Sequence, residues 1–184
     1  RAIRISLDRK ELFITQLRAL VRASAFGKLA IMFPMITSVE QVQEIKDLLE
    51  KVKADLKAEG IAFAPDFEIG IMIETPASVI LSDLLAKEVD FFSVGTNDLT
   101  QYTLAVDRMN PQISSMYDPR HPAVLRMIQI AAENAQKAGI WIGICGESAG
   151  DTELTKFYMD IGINELSVTP GMVLELRRTV QQLD

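Results

Sequence analysis

Four places in the sequence set polar or reactive side chains directly after a short apolar run. They are Glu74 after Ile69–Ile73, Thr96-Asn97-Asp98 after Phe91–Val94, Cys145-Gly146-Glu147 after Ile140–Ile144, and Thr169 after Glu165–Val168. Glu74 alone is ambiguous. A carboxylate behind a wholly apolar run is costly to bury without a cation or hydrogen-bond donors. Beside Pro76 it can equally be a turn or helix-capping acid. Asp98 has the same two readings, because an acid in the first turn of a helix is favourable for structural reasons alone. Gly95 lets the backbone approach a ligand closely, and the amides of Asn97 and Asp98 open a helix, where anions bind well. Taken together, Glu74 and Asp98 make a two-carboxylate site suited to Mg2+, which uses one or two carboxylates with water and substrate oxygens.

Cys145 is the single cysteine of the chain. A buried cysteine is usually a small hydrophobe, but at a strand end, with Gly146 opening space, a proton donor or nucleophile is the alternative. Arg108 opens a polar stretch, Arg108–Arg120, that holds Pro111 and Pro119 and reads as a long loop over one face. An exposed arginine is commonly just solvated; near a metal-binding carboxylate pair it clamps phosphate. The sole histidine, His121, sits between Arg120 and Pro122 and reads as a helix N-terminal residue. Met32, Met35 and Met72 read as core filler.

Such residues need a scaffold that brings strand ends together. Apolar spacing predicts a helix over 8–23, with Asp8 and Glu11 as a capping box, and then a strand over Leu29–Pro34 buried on both faces. Ser38 with Gln41 opens a long helix to about Glu59. Strand Ile69–Ile73, helix Pro76–Ala86, strand Phe91–Val94 and a short helix Asn97–Ala105 follow. After the loop come a helix from Pro122 to Gly139, strand Ile140–Ile144, helix Thr152–Ile161, strand Glu165–Val168 and a last helix Pro170–Leu183. Five strands, each followed by helix, imply a parallel sheet with helical crossovers. An open doubly wound sheet would work mainly through one switch-point crevice, and no GxGxxG loop is present. A (β/α)8 barrel gathers all strand ends around one mouth, which suits four such clusters.

With 19 basic and 25 acidic residues in 184, the net charge of -6 argues against nucleic acid or anionic membrane surfaces as partners. A hydrophobic content of 48% suffices for a sizeable core. One cysteine excludes an internal disulfide and multi-thiol zinc sites, and fits a cytoplasmic location. No run approaches the roughly 20 apolar residues of a membrane span, so no membrane insertion is expected. The chain opens on Arg1 in mid-pattern and reads as a piece of something longer.

The stretches Gly70-Ile-Met-Ile-Glu74-Thr-Pro76, FFSVGTNDLTQYTLAVDR ending at Arg108, and Cys145-Gly-Glu147 together closely resemble the C-terminal domain of Enzyme I of the bacterial phosphoenolpyruvate:sugar phosphotransferase system. Phe26-Gly-Lys-Leu and Ile31-Met-Phe-Pro-Met-Ile36 extend the resemblance over essentially the whole chain. Phosphoenolpyruvate synthase and pyruvate phosphate dikinase are relatives with similar signatures. The resemblance implies a phosphoenolpyruvate-binding (β/α)8 TIM barrel, of which residues 1–184 would be a single incomplete domain. It would comprise about the last five β/α units, the fourth to eighth strands, with a preceding helix. The first three barrel units and the N-terminal phosphohistidine domain would be absent.

In that family the phosphoryl group passes from phosphoenolpyruvate to the histidine and on to HPr, releasing pyruvate. By matching position, Glu74 and Asp98 are implied as Mg2+ ligands. Asn97, Asp98, Arg108 and Arg1 are implied as substrate contacts, and Cys145 as the acid that protonates the enolate. The chain alone is expected to be inactive in transfer. Its two open sheet edges would favour a homodimer or other self-association.

Overall fold

In a computed structural model, which describes residues 1–183, each apolar run becomes a strand of one sheet. The strands are β1 (Ala30–Phe33), β2 (Glu68–Ile73), β3 (Phe91–Gly95), β4 (Trp141–Cys145) and β5 (Glu165–Leu166). They pair in chain order, β1-β2-β3-β4-β5, and every pairing is parallel. That order decides between the two architectures. A doubly wound sheet reverses its strand order at a switch point, whereas here every unit adds to the same side, as in a section of a (β/α)8 barrel.

The two faces of the sheet differ. Ile31, Phe33, Ile71, Ile73, Phe92, Val94, Ile142 and Ile144 are buried in the apolar core. Their alternates form the inner face: Met32, Met72, Ser93, Cys145 and Glu165 are half-buried or exposed. The expectation that the first strand is buried on both faces is therefore corrected. In β1 only Ile31 and Phe33 are buried, and Met32 is 37% exposed. A run of apolar letters hides the alternation that a helical cover on one side imposes.

Helices pack outside. They are α1 (Ile3–Asp8), α2 (Lys10–Ala23), α3 (Val39–Ala58), α4 (Pro76–Ile80), α5 (Ser82–Leu85), α6 (Thr96–Leu104), α7 (Pro122–Ala138), α8 (Thr152–Asp160) and α9 (Val173–Leu183). The Asp8–Glu11 capping box does not form, because the helical path already runs through α1 and Arg9 precedes α2 without a side-chain cap. At α3 the Ser38 hydroxyl accepts the Gln41 N–H at 3.4 Å, while Gln41 reaches back to the Thr37 N–H at 2.8 Å. The single helix expected over Pro76–Ala86 is two short ones interrupted at Leu81, where the Ser82 hydroxyl donates to the Val79 carbonyl. His121 caps α7, its Nδ1 accepting the Ala123 N–H at 3.2 Å. Among the described residues no helix is long and apolar enough to cross a membrane.

Candidate active site

Glu74 is the first residue past β2 and only 4% exposed. The helix cap beside Pro76 is not Glu74 but Thr75, whose hydroxyl accepts the Ser78 N–H at 3.1 Å. The Glu74 carboxylate instead accepts the Met35 N–H at 2.7 Å through Oε1. Met35 lies in the turn after β1 with φ +62°, a left-handed backbone that a bulky side chain seldom adopts. The strain is tied to a purpose: it turns a buried amide onto the carboxylate. The register pairs Ile73 with Val94, which brings Gly95 level with Glu74. A Cβ at Gly95 would lie 2.9 Å from Glu74 Cβ and 2.7 Å from Met72 Sδ, so only glycine leaves the acid its room.

Asp98 is the third residue of α6, in the turn that follows β3. Its Oδ2 pairs with the Arg1 guanidinium. Burial pushes Glu74 up to about 7, and the adjacent Asp98 adds to this against the pull of the Met35 amide and Arg1. Arg1 is raised in turn, chiefly by Asp98. Two carboxylates thus lie side by side, and burial with this neighbour favours the protonated form of Glu74 up to about pH 7. No cluster of three or more His, Cys, Asp or Glu occurs among the described residues. Two carboxylates with room for water and ligand oxygens fit Mg2+, a hard cation, and would lower the cost of their mutual repulsion.

Asn97 and Cys145 meet across β3 and β4. Gly95 is in register with Cys145, the Thr96 hydroxyl donates to the Cys145 carbonyl at 2.9 Å, and the Glu147 N–H donates to Asn97 Oδ1 at 3.0 Å. Tyr117 sets its hydroxyl 3.5 Å from both the Asn97 carbonyl and Oδ1. With the side-chain oxygen so engaged, the Asn97 amide nitrogen is left to donate elsewhere. Gly146, at φ +96°, could not carry a Cβ, which would fall 2.4 Å from Thr96 Oγ1. Burial pushes the Cys145 thiol up, with Glu74 and Glu165 acting the same way and the Ser93 hydroxyl opposing them. The group therefore stays a thiol near neutral pH, which suits a proton donor better than a thiolate nucleophile.

Arg108 stands over this mouth. Its backbone N–H donates to Gln101 Oε1 at 3.2 Å and its guanidinium pairs with Glu147 at 3.4 Å. The far end of the same loop is held by Arg120, which pairs with Asp151 at 2.6 Å and also with Glu153. The structure thus gathers Arg1, Glu74, Asn97, Asp98, Arg108 and Cys145 at one end of the sheet, while His121 serves as a helix cap. The description "PEP-utilising enzyme, PEP-binding domain" matches residues 1–184.

The chain belongs to the PEP-utilising enzymes, as their PEP-binding domain. It is 50% identical over 184 residues to the phosphoenolpyruvate-protein phosphotransferase of Haemophilus influenzae, covering all of this chain and 32% of that protein. The protein of the same name from Latilactobacillus sakei is also 50% identical, with the same coverage. The one from Buchnera aphidicola is 51% identical over 182 residues, covering 99% of this chain and 32% of the relative. The domain therefore spans about a third of the length of these relatives. Among solved structures, a citrate lyase from Burkholderia xenovorans superposes with a TM-score of 0.68 at 19% identity, covering 93% of this chain and 53% of that one. An HpcH/HpaI aldolase/citrate lyase family protein from Burkholderia cenocepacia gives 0.63 at 19% identity over 92% of this chain and 68% of that one. At that identity the likeness concerns the barrel fold alone.

Sequence reasoning missed several supports of the PEP-binding domain's site. Met35 was expected to be core filler, and it is buried, but its backbone amide holds Glu74. No sequence signal marks a left-handed methionine. Thr96 is named at its strand end without a role, Gln101 only as part of the long block that carries the resemblance, and Tyr117 only as part of the loop beyond it. Only a pairing register shows that they converge.

Proposed function

We propose that this domain binds phosphoenolpyruvate with Mg2+, and that in the whole protein it serves phosphoryl transfer to a histidine on a separate domain and on to HPr, with release of pyruvate. The observation that carries the reading is the meeting of Glu74 and Asp98, from neighbouring strand ends, beside two arginines and a protonated thiol. Glu74 and Asp98 would hold the Mg2+, which when bound neutralises charge on the phosphate and enolate oxygens. Arg108 and Arg1 would exchange their present partners, Glu147 and Asp98, for the doubly charged phosphate. The first turn of α6 directs the amides of Asn97 and Asp98 at the same anion. As the phosphoryl group departs, these fixed cations and dipoles stabilise the enolate left behind. Cys145 then supplies the proton that converts the enolate to pyruvate.

Relatives called phosphoenolpyruvate-protein phosphotransferase at about half identity favour this over a phosphoenolpyruvate synthase or dikinase. The phosphotransferase system, a role in sugar uptake and a cytoplasmic location follow from the same reading. The test is calorimetry of phosphoenolpyruvate with Mg2+, on this chain and on the Glu74→Ala, Asp98→Ala double variant. Metal-dependent heat that disappears in the variant supports the site. Equal heat in both proteins would end the metal assignment.

A second reading concerns the chain by itself. Among the described residues β1 and β5 each have a strand on one side only. Such edges favour a partner copy or the remaining barrel units, and a domain that folds without completing transfer. Sedimentation would separate these: a dimer supports pairing through the edges, and a monomer at tens of micromolar counts against it.

A further inference from the structure

We propose that Ser93 is the positioning residue for the Cys145 thiol, fixing the sulfur on the inner face of the sheet and donating its hydroxyl hydrogen to it as the thiol gives up its proton. The inference rests on the reading of Cys145 as proton donor.

Ser93 is the central residue of β3 and Cys145 the last residue of β4. Both project to the half-buried inner face, and the Ser93 hydroxyl donates to Cys145 Sγ at 3.8 Å. The contact is diagonal, which the pairing makes possible: Ser93 is directly opposite Gly143, and Cys145 directly opposite Gly95. With glycine at both facing positions, no side chain fills the gap between hydroxyl and sulfur. Among the described residues Ser93 has no other side-chain acceptor, so its hydrogen is committed to the sulfur and the thiol hydrogen is free to point toward the mouth.

The chemistry then balances. The S–H bond breaks as a C–H bond forms at the enolate methylene carbon; the enolate electron pair makes the new bond and its oxygen becomes the ketone of pyruvate. The sulfur keeps the S–H electron pair as a thiolate, and water later returns the proton. A thiolate in this place is opposed by burial and by Glu74 and Glu165, the charged groups that act on it from the ends of β2 and β5. A hydrogen bond to the ionised sulfur is stronger than one to the thiol, so Ser93 favours the donor's conjugate base where its surroundings do not.

The sole cysteine makes the test direct, because iodoacetamide alkylation of this chain reports Cys145 alone. Ser93→Thr retains the hydroxyl, and Ser93→Val has the same shape without it. Native and Ser93→Thr proteins should share one pH profile, and Ser93→Val should react about two- to tenfold more slowly at pH 8, with its midpoint moved upward. Superimposable Val and Thr profiles, or a Thr profile displaced as far as Val, would overturn the proposal. Alkylation needs no phosphoenolpyruvate, so this result is independent of the donor role. That role is read from deuterium uptake into pyruvate by the full-length protein carrying Cys145→Ala, where undiminished uptake would sink the donor reading and this inference with it.

Discussion

Asp90 and Glu74 sit at opposite ends of the same pair of strands, and only one of them is buried. Asp90 precedes β3, is exposed, and closes a two-way bond with Ile69: its Oδ2 accepts the Ile69 N–H at 2.8 Å and its own N–H donates to the Ile69 carbonyl at 2.7 Å. Nearby, Phe91 and Trp141 stack at 4.3 Å and Trp141 reaches Glu68 at 3.2 Å. At this N-terminal end the Asp90 carboxylate and the Trp141 indole both have partners. Glu74 follows β2, is buried, and shares its space with Asp98. Each acid accepts one backbone N–H, but the exposed Asp90 is hydrated besides, whereas the buried Glu74 faces a second carboxylate, a repulsion that a cation would relieve. This is the division of labour expected of a barrel, with stability at one end and reaction at the other.

The sharpest way to break the contrast is to exchange the two acids' fates. Removing Glu74 or Asp98 should lower Mg2+-dependent phosphoenolpyruvate affinity by at least the about 10–100-fold that loss of an outer partner of a metal site costs. Asp90→Ala should leave affinity unchanged, and calorimetry on the three variants decides the matter.

A second effect concerns pH. Glu74 titrates in the folded state near 7, above its ordinary value of 4.5. The folded protein therefore holds this proton more tightly than the unfolded chain. The corresponding stability is complete below about pH 4.5 and is lost as pH rises through 7, amounting to as much as about 3 kcal/mol. Urea unfolding at pH 5 and pH 8 should show this loss, and Glu74→Gln should remove it. Added Mg2+ should raise the pH 8 value of the native protein and leave that of the Gln variant unmoved.

Smaller still, Glu147→Gln should free Arg108 from its exposed pair and tighten phosphoenolpyruvate binding by about two- to fivefold, as isolated surface pairs are weak. An unchanged affinity would mean that Arg108 does not reach the phosphate. Last, Asp90→Ala should cost about 0.5–1.5 kcal/mol by urea titration, the usual worth of one hydrogen bond.

Much of this was legible in order and type of element. Each of the five apolar runs became a strand, because parallel strands covered by helices are made of just such runs. Pro122 and Gly139 marked the two ends of one helix correctly, since proline's fixed φ suits a first helical turn and glycine accepts the left-handed backbone of the cap at φ +74°. The broken helix after Pro76 and the absent cap at Asp8 were not legible. In both cases neighbouring segments, not local propensity, decided where backbone bonds went.

The sequence by itself determined which side chains stand at the strand ends, because a carboxylate or thiol directly after an apolar run can hardly be anywhere else. It also carried the long block that marks the family. Only the tertiary structure decided that Glu74 and Asp98 lie side by side, that a left-handed Met35 supplies an amide there, and that Ser93 reaches Cys145 across two glycines. Those facts depend on strand register, which pairs residues 20 to 50 positions apart; local sequence preferences extend over a few residues and leave such pairings open.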